Sequence, residues 1–166
     1  MPAERCQECG FDSTRFSDAA AIDAAEGMAA LWSSAIDGLS VEAMARRPIA
    51  GMWSIAEYTD HVRETAFGMR FLIDVAVGGG DVDLGDAPPA RFDPEPRRID
   101  AHVALDGFKT ELAEVCARLR SVAPEEWESS CVVGGERIDI HWIARHLVHD
   151  VSHHINDVKR LRSSLS

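Results

Sequence analysis

The chain has 166 residues, 28 acidic and 17 basic, with a net charge of −11. A domain of this length buries roughly 70% of the surface of its unfolded chain, so it can hold an internal site without disulfide staples. The acidic balance, with no basic cluster longer than Arg46-Arg47 or Arg97-Arg98, argues against nucleic acid as a partner. No run of about 18 apolar residues appears, which argues against a membrane partner, and a cytoplasmic protein is expected.

In chain order, the first feature is the C-x-x-C pair Cys6 and Cys9. In a reducing compartment such a pair supplies half of a zinc site or a redox dithiol. The strand–helix unit expected beside a redox motif is missing, and no second C-x-x-C completes a zinc site. The simplest reading is a tight turn at Cys9-Gly10 that packs a small thiol-bearing segment against the rest. Residues 1–16 are therefore read as an N-terminal segment and residues 17–166 as a bundle domain. Cys116 falls on the apolar side of a helix and is expected in the core.

Helical periodicity dominates the chain from residue 17 onward, and the expected fold is all-α, a four-helix bundle. Ser17 and Asp18 open a first helix with Ile22, Ala25, Ala29, Trp32 and Ile36 on one face, ending at Gly38. A short turn from Ser40 to Arg46, stopped by Pro48, bridges to the second. That helix begins with a capping box, Ser54-Ile55-Ala56-Glu57, in which hydroxyl and carboxylate satisfy each other's backbone amides. Its stripe is Val62, Ala66, Met69 and Ile73. Asp100 caps a third helix with core positions Val103, Phe108, Leu112, Val115, Cys116 and Leu119. A fourth starts near Asp139 and carries Ile140, Ile143, Leu147, Val151, Val158 and Leu161 on one side.

Two connections stand out. Residues 78–98, rich in Gly, Pro and Asp, are too long for a simple turn and read as a crossover. Residues 131–138 have the β-branched character of a small hairpin turning at Gly134-Gly135.

Four of the seven histidines fall in nine residues of the last helix: His146, His149, His153 and His154. Residues four apart share a helix face, so the pairs Asp150/His154 and His149/His153 can each offer two ligands to a metal. On a wheel centred on Leu147, His154 lies among the apolar residues and Asp150 at their margin. His146, His149 and His153 lie on the far side with Trp142, as a solvated face, a cover for Trp142 or a dimerisation surface. An inward carboxylate and imidazole need pairing or coordination, because their desolvation is costly. His61, on the rim of the second helix's stripe, is the expected third ligand, since two helices that each offer inward ligands to one cavity is how bundles build metal sites. His102 and His141 have no ligand-type partner at the right step and are read as structural.

Trp53-Ser54-Ile55-Ala56-Glu57-Tyr58-Thr59-Asp60-His61 resembles the W-S-x-x-E-x-x-x-H signature of the DinB-like superfamily, which includes the mycothiol-dependent maleylpyruvate isomerases. Residues 150–158 are similar to its second motif, H-x-x-H-H followed four residues later by a β-branched residue. The resemblance implies a four-helix bundle with a long crossover after the second helix, and three metal ligands: His61, Asp150 and His154. Many members carry histidine where this chain has Asp150; the maleylpyruvate isomerase branch has an acidic residue there. The alternative register is His61, His149 and His153.

Two imidazoles and a carboxylate leave a coordination position open on zinc or nickel, the arrangement of catalytic sites. The resemblance implies a thiol there, mycothiol in actinobacteria, whose GC-rich genomes also suit a count of 15 arginines to 2 lysines. The expected activity is thiol-dependent S-transfer or isomerisation of a small-molecule substrate. A hydrolase using water, and a non-catalytic metal-binding or dimerising module, are the alternatives. His149 and His153 are candidates to orient a ligand or move a proton behind the metal, and Arg91, Arg97 and Arg98 of the crossover to shape the pocket mouth.

Overall fold

The computed structural model describes residues 3–83 and 95–165. Its elements are α1 (Asp18–Ile36), a short α2 (Val41–Ala45), α3 (Ile55–Val77), α4 (Ala101–Arg120), a hairpin of β1 (Ser130–Val133) and β2 (Glu136–Asp139), and α5 (Ile140–Ser164). One-turn 3₁₀ helices at Ser13–Arg15 and Pro124–Glu126 complete the set.

Each helix starts where a side chain can satisfy the amides that helical bonding leaves open. Ser17, Ser40, Ser54, Asp100 and Asp139 cap α1, α2, α3, α4 and α5. The predicted capping box is present: Glu57 donates its amide to Ser54 Oγ at 3.2 Å, and the Ser54 amide donates to Glu57 Oε2 at 2.8 Å. The hairpin forms as expected, with Gly134 and Gly135 at φ of 58° and 88°. Two consecutive positive φ angles are the type I′ condition, which matches the twist of paired strands and is open to glycine at little cost.

Helix directions follow from contacts between side chains. Arg63 abuts Gly107, Arg70 pairs with Glu111 and Glu114, and Arg118 with Asp74. The residue numbers rise together, so α3 and α4 are parallel neighbours, and the connection between them must return the length of the bundle. It is fastened at both ends. Val82 donates its amide to the Val132 carbonyl at 2.8 Å, and the Arg97 amide donates to Glu57 Oε1 at 2.9 Å. α1 and α5 are likewise parallel, linked by Arg145 to Asp18 near one end and by Arg162 to the Ala35 carbonyl near the other. α4 lies beside α1, and α5 beside α3, which closes the ring of four.

The core is the apolar stripe of each long helix. Trp32, Phe108, Ile73, Leu112, Ile143, Leu147 and Leu161 are among its fully buried side chains, and Cys116 is in it, as expected. Trp32 Nε1 donates to Thr59 Oγ1 at 3.1 Å, so the largest core residue keeps its polar atom satisfied. One core assignment is corrected. Val103 is 70% exposed, because Ala101, Ala104, Leu105 and Phe108 set the buried face of α4 and Val103 lies well off that stripe. Cys131, in β1, is fully buried.

Residues before α1 are not a free tail. Glu4 donates its amide to Ser13 Oγ and Arg5 bridges to Asp12, which folds the segment on itself. Phe11 is buried against α5, its ring stacked on His149 at 4.8 Å.

Candidate metal centre

α3 and α5 are antiparallel neighbours whose facing surfaces bring three of the sequence-predicted ligands together. One ligand atom from each of His61, Asp150 and His154 lies within 4.8 Å of the other two. His61 Nε2 is 3.8 Å from Asp150 Oδ2, and His154 Nε2 is 3.6 Å from Asp150 Oδ1. Both distances exceed a hydrogen bond. Asp150 Oδ2 is buried with no hydrogen-bond partner. A buried carboxylate between two imidazole nitrogens, with its His61-facing oxygen orphaned, is a donor set that fits a divalent cation.

The carboxylate is ionised at neutral pH. Burial works to raise the Asp150 pKa, but His61 and His154 outweigh it and bring it down to about 2. His154 is oriented from behind: its Nδ1 is 2.9 Å from Asp157 Oδ2, which keeps the proton on Nδ1 and turns the Nε2 lone pair toward Asp150. Asp157 was not among the predicted site residues, although its position three residues after His154 on a helix was the available signal. An aromatic wall encloses the ligands. Trp53 packs on His61 at 5.2 Å, Tyr58 on His154 at 5.0 Å, and the two imidazoles meet edge to face at 4.9 Å.

At the N-terminus of α3, Glu57 is 1% exposed and gathers the bonds that hold this end together. Besides its cap it accepts from Arg47 and from the Arg97 amide. Burial would raise its pKa, yet Arg47, Arg97 and Ser54 bring it down to about 2. The Arg97 guanidinium pairs with Asp60 and Glu64 of α3, so it serves the anchoring of the crossover rather than standing ready for an anionic ligand. Arg98 is exposed, and Arg91 lies outside the described residues.

The alternative register is not brought together around His61. His149 and His153 instead group with Cys6 and Cys9, and His149 also with Glu4 and His146. This corrects the picture of a solvated histidine face. His146, His149 and His153 are only 25%, 16% and 27% exposed, because the N-terminal segment folds over them, and Trp142 stacks on His146 at 4.2 Å. As supports behind the first centre, His153 touches His154 edge to face at 5.3 Å, while His149 is turned to Glu4. His141 is structural, bonded to Asp18 and packed on Trp127, and His102 is exposed.

The sequence profile of the DinB superfamily matches residues 24–158, which include all three of the gathered ligands. The chain belongs to the DinB superfamily. Among solved structures, this DinB chain is similar to YfiT from Bacillus subtilis, described as a probable metal-dependent hydrolase with an unusual four-helix bundle topology. The TM-score is 0.67 at 14% identity, over 88% of this chain and 87% of YfiT. It is also similar to the mycothiol-dependent maleylpyruvate isomerase, with a TM-score of 0.69 at 13% identity, over 88% of this chain and 62% of that one. At these identities the likeness is one of fold. No curated protein sequence matches the chain. Among the described residues, no helix is long and apolar enough to cross a membrane.

Proposed function

We propose that this DinB chain is a metal-dependent enzyme whose cation is held by His61, Asp150 and His154 and activates a low-molecular-weight thiol of the mycothiol type for S-transfer or isomerisation. The observation that carries the reading is the orphaned Asp150 Oδ2 facing His61, with His154 held in one tautomer by Asp157. A structural metal site would close all four positions with protein atoms, whereas this set supplies three and leaves room for a reactant. Zinc or nickel suits mixed imidazole and carboxylate donors. When bound, the cation lowers the pKa of a thiol or water beside it toward neutrality.

The protein's own part is to position and to exclude water. Asp157 holds the proton on His154 Nδ1, and Trp53 and Tyr58 wall the ligands with apolar surface. Burial and the nearby Asp157 charge push the Tyr58 phenol up to about 12, so it stays protonated and keeps a hydrogen to donate at neutral pH. An acidic residue at position 150, as in the maleylpyruvate isomerase branch, supports the thiol reading. Similarity to YfiT over nearly the whole of both chains supports a second one, hydrolysis by activated water.

The two separate in one experiment. Metal-loaded protein is incubated with an electrophile and mycothiol, and in parallel with ester and amide substrates without thiol. Metal-dependent thiol consumption that His61→Ala abolishes supports the transferase. Turnover only in the thiol-free arm replaces it with the hydrolase. A His61→Ala protein that keeps its full activity rules out both.

A further inference from the structure

The N-terminal C-x-x-C pair lies outside residues 24–158, so the family match does not account for it. In the fold it lands on the histidines of α5 that the first centre leaves unused. One ligand atom from each of Cys6, Cys9, His149 and His153 lies within 4.8 Å of the others. We propose that these four side chains form a second, structural metal site that takes one Zn²⁺ in a closed Cys₂His₂ set and fastens the N-terminal segment to α5.

The geometry is near that of a loaded site. Zinc–sulfur and zinc–nitrogen bonds of about 2.3 and 2.0–2.1 Å put sulfur and nitrogen about 3.6 Å apart across a tetrahedral angle. Cys6 Sγ and His153 Nδ1 are 3.6 Å apart. On His149, Nδ1 is committed to Glu4 Oε1 at 2.7 Å, which leaves Nε2 as its ligand atom, and that Nε2 is buried with no hydrogen-bond partner. Both imidazoles have a carboxylate behind them: Glu4 on His149, and Glu8 with its Oε2 3.5 Å from His153 Nε2. Imidazoles that bind metal through one nitrogen usually donate the other N–H to such a group.

The thiols are presented by a tight turn. The Gly10 amide donates to the Cys6 carbonyl and the Cys6 amide to the Phe11 carbonyl, each at 3.0 Å, and Gly10 takes a φ of 74° that a side chain would strain. Phe11, stacked flat on His149, fixes that ring between the turn and Glu4. A simple packing turn explains the burial of Phe11 but not two thiols and an orphaned imidazole nitrogen converging on one point. Four protein ligands leave no open position, so the site supports rather than reacts. Because His149 and His153 each precede a ligand of the first centre, loading the second fixes the roll of α5 that aims Asp150 and His154 at His61.

Cobalt substitution of the full-length chain tests the site, because only a thiolate ligand produces a sulfur-to-cobalt charge-transfer band and the first centre has no sulfur. The expected result is that band in the wild type, its persistence in His61→Ala, and its loss with one equivalent of metal in Cys9→Ser and His149→Ala. With zinc bound, Cys6 and Cys9 should resist a thiol reagent until a chelator is added. Absence of the band in the wild type overturns the proposal, as does its survival in Cys9→Ser. A Cys6–Cys9 disulfide that forms as readily with zinc as without it also overturns it, since the pair would then be a redox dithiol. Loss of the first centre alone leaves the band unchanged, so failure of one site is distinguishable from failure of the other.

Discussion

His154 and Asp157 stand one turn apart on α5, with Nδ1 and Oδ2 2.9 Å from each other, and this contact decides which nitrogen of His154 faces Asp150 and His61. Replacing Asp157 by Asn keeps the shape but removes the charge that holds the proton on Nδ1. Metal affinity at the first centre should fall by about 10–100-fold, the usual effect of losing a carboxylate behind a ligand histidine. Competition with a chromogenic chelator measures it, in a Cys6→Ser, Cys9→Ser background so that no thiolate site contributes.

His61→Ala removes the one ligand that α3 supplies. A metal that binds only the folded chain stabilises it by about 2.7 kcal/mol at 100 times its Kd. In the same background, with Cys6 and Cys9 replaced, zinc or nickel should raise the melting temperature of the parent and leave that of His61→Ala unchanged. An equal rise in both would place the bound metal somewhere other than between α3 and α5.

Glu57 links the α3 cap, Arg47 and the crossover, and its loss should be felt as a stability change. Glu57→Ala leaves the Arg47 guanidinium without its buried partner at a cost of about 3–5 kcal/mol, measurable by urea unfolding. The same carboxylate sets part of the acid sensitivity. Its folded pKa of about 2 lies below the ordinary 4.5, so the unfolded chain takes up the proton more readily. Its contribution is complete above about 4.5 and is lost as pH falls toward about 2. Across that window the stability of Glu57→Gln should vary less with pH than that of the wild type.

Gly27 is exposed inside α1, and a Cβ there meets nothing within 4 Å. Gly27→Ala should stabilise the protein by about 0.5–1 kcal/mol, since alanine loses less backbone freedom in a helix. The melting temperature should rise by a few degrees, on the order of 2–4 °C for each kcal/mol at this size.

Much of the bundle was legible because its signals are local. Ser54 and Glu57 are three residues apart and satisfy each other whatever surrounds them, Gly134-Gly135 fits one kind of turn, and the stripes of α1, α3 and α5 have the helical period. Val103 was misplaced because its apolar side chain was counted toward a stripe from which its position, at about 100° per residue, turns it well away. The candidate ligands His61, Asp150 and His154 could be named from spacing and family motif.

Sequence alone therefore determined the helices, their caps, the hairpin and a short list of metal-binding side chains, since each depends on neighbours within one or two turns. Tertiary structure decided which of those side chains meet. His153 finds Cys6 147 positions away, and His149 finds Glu4 145 away. A helical wheel assigns the face opposite the bundle to solvent, whereas the chain folds its first residues back over that face. The stretch that reads along α5 as one cluster of histidines is divided in space, because successive residues on a helix point about 100° apart and so turn toward different partners.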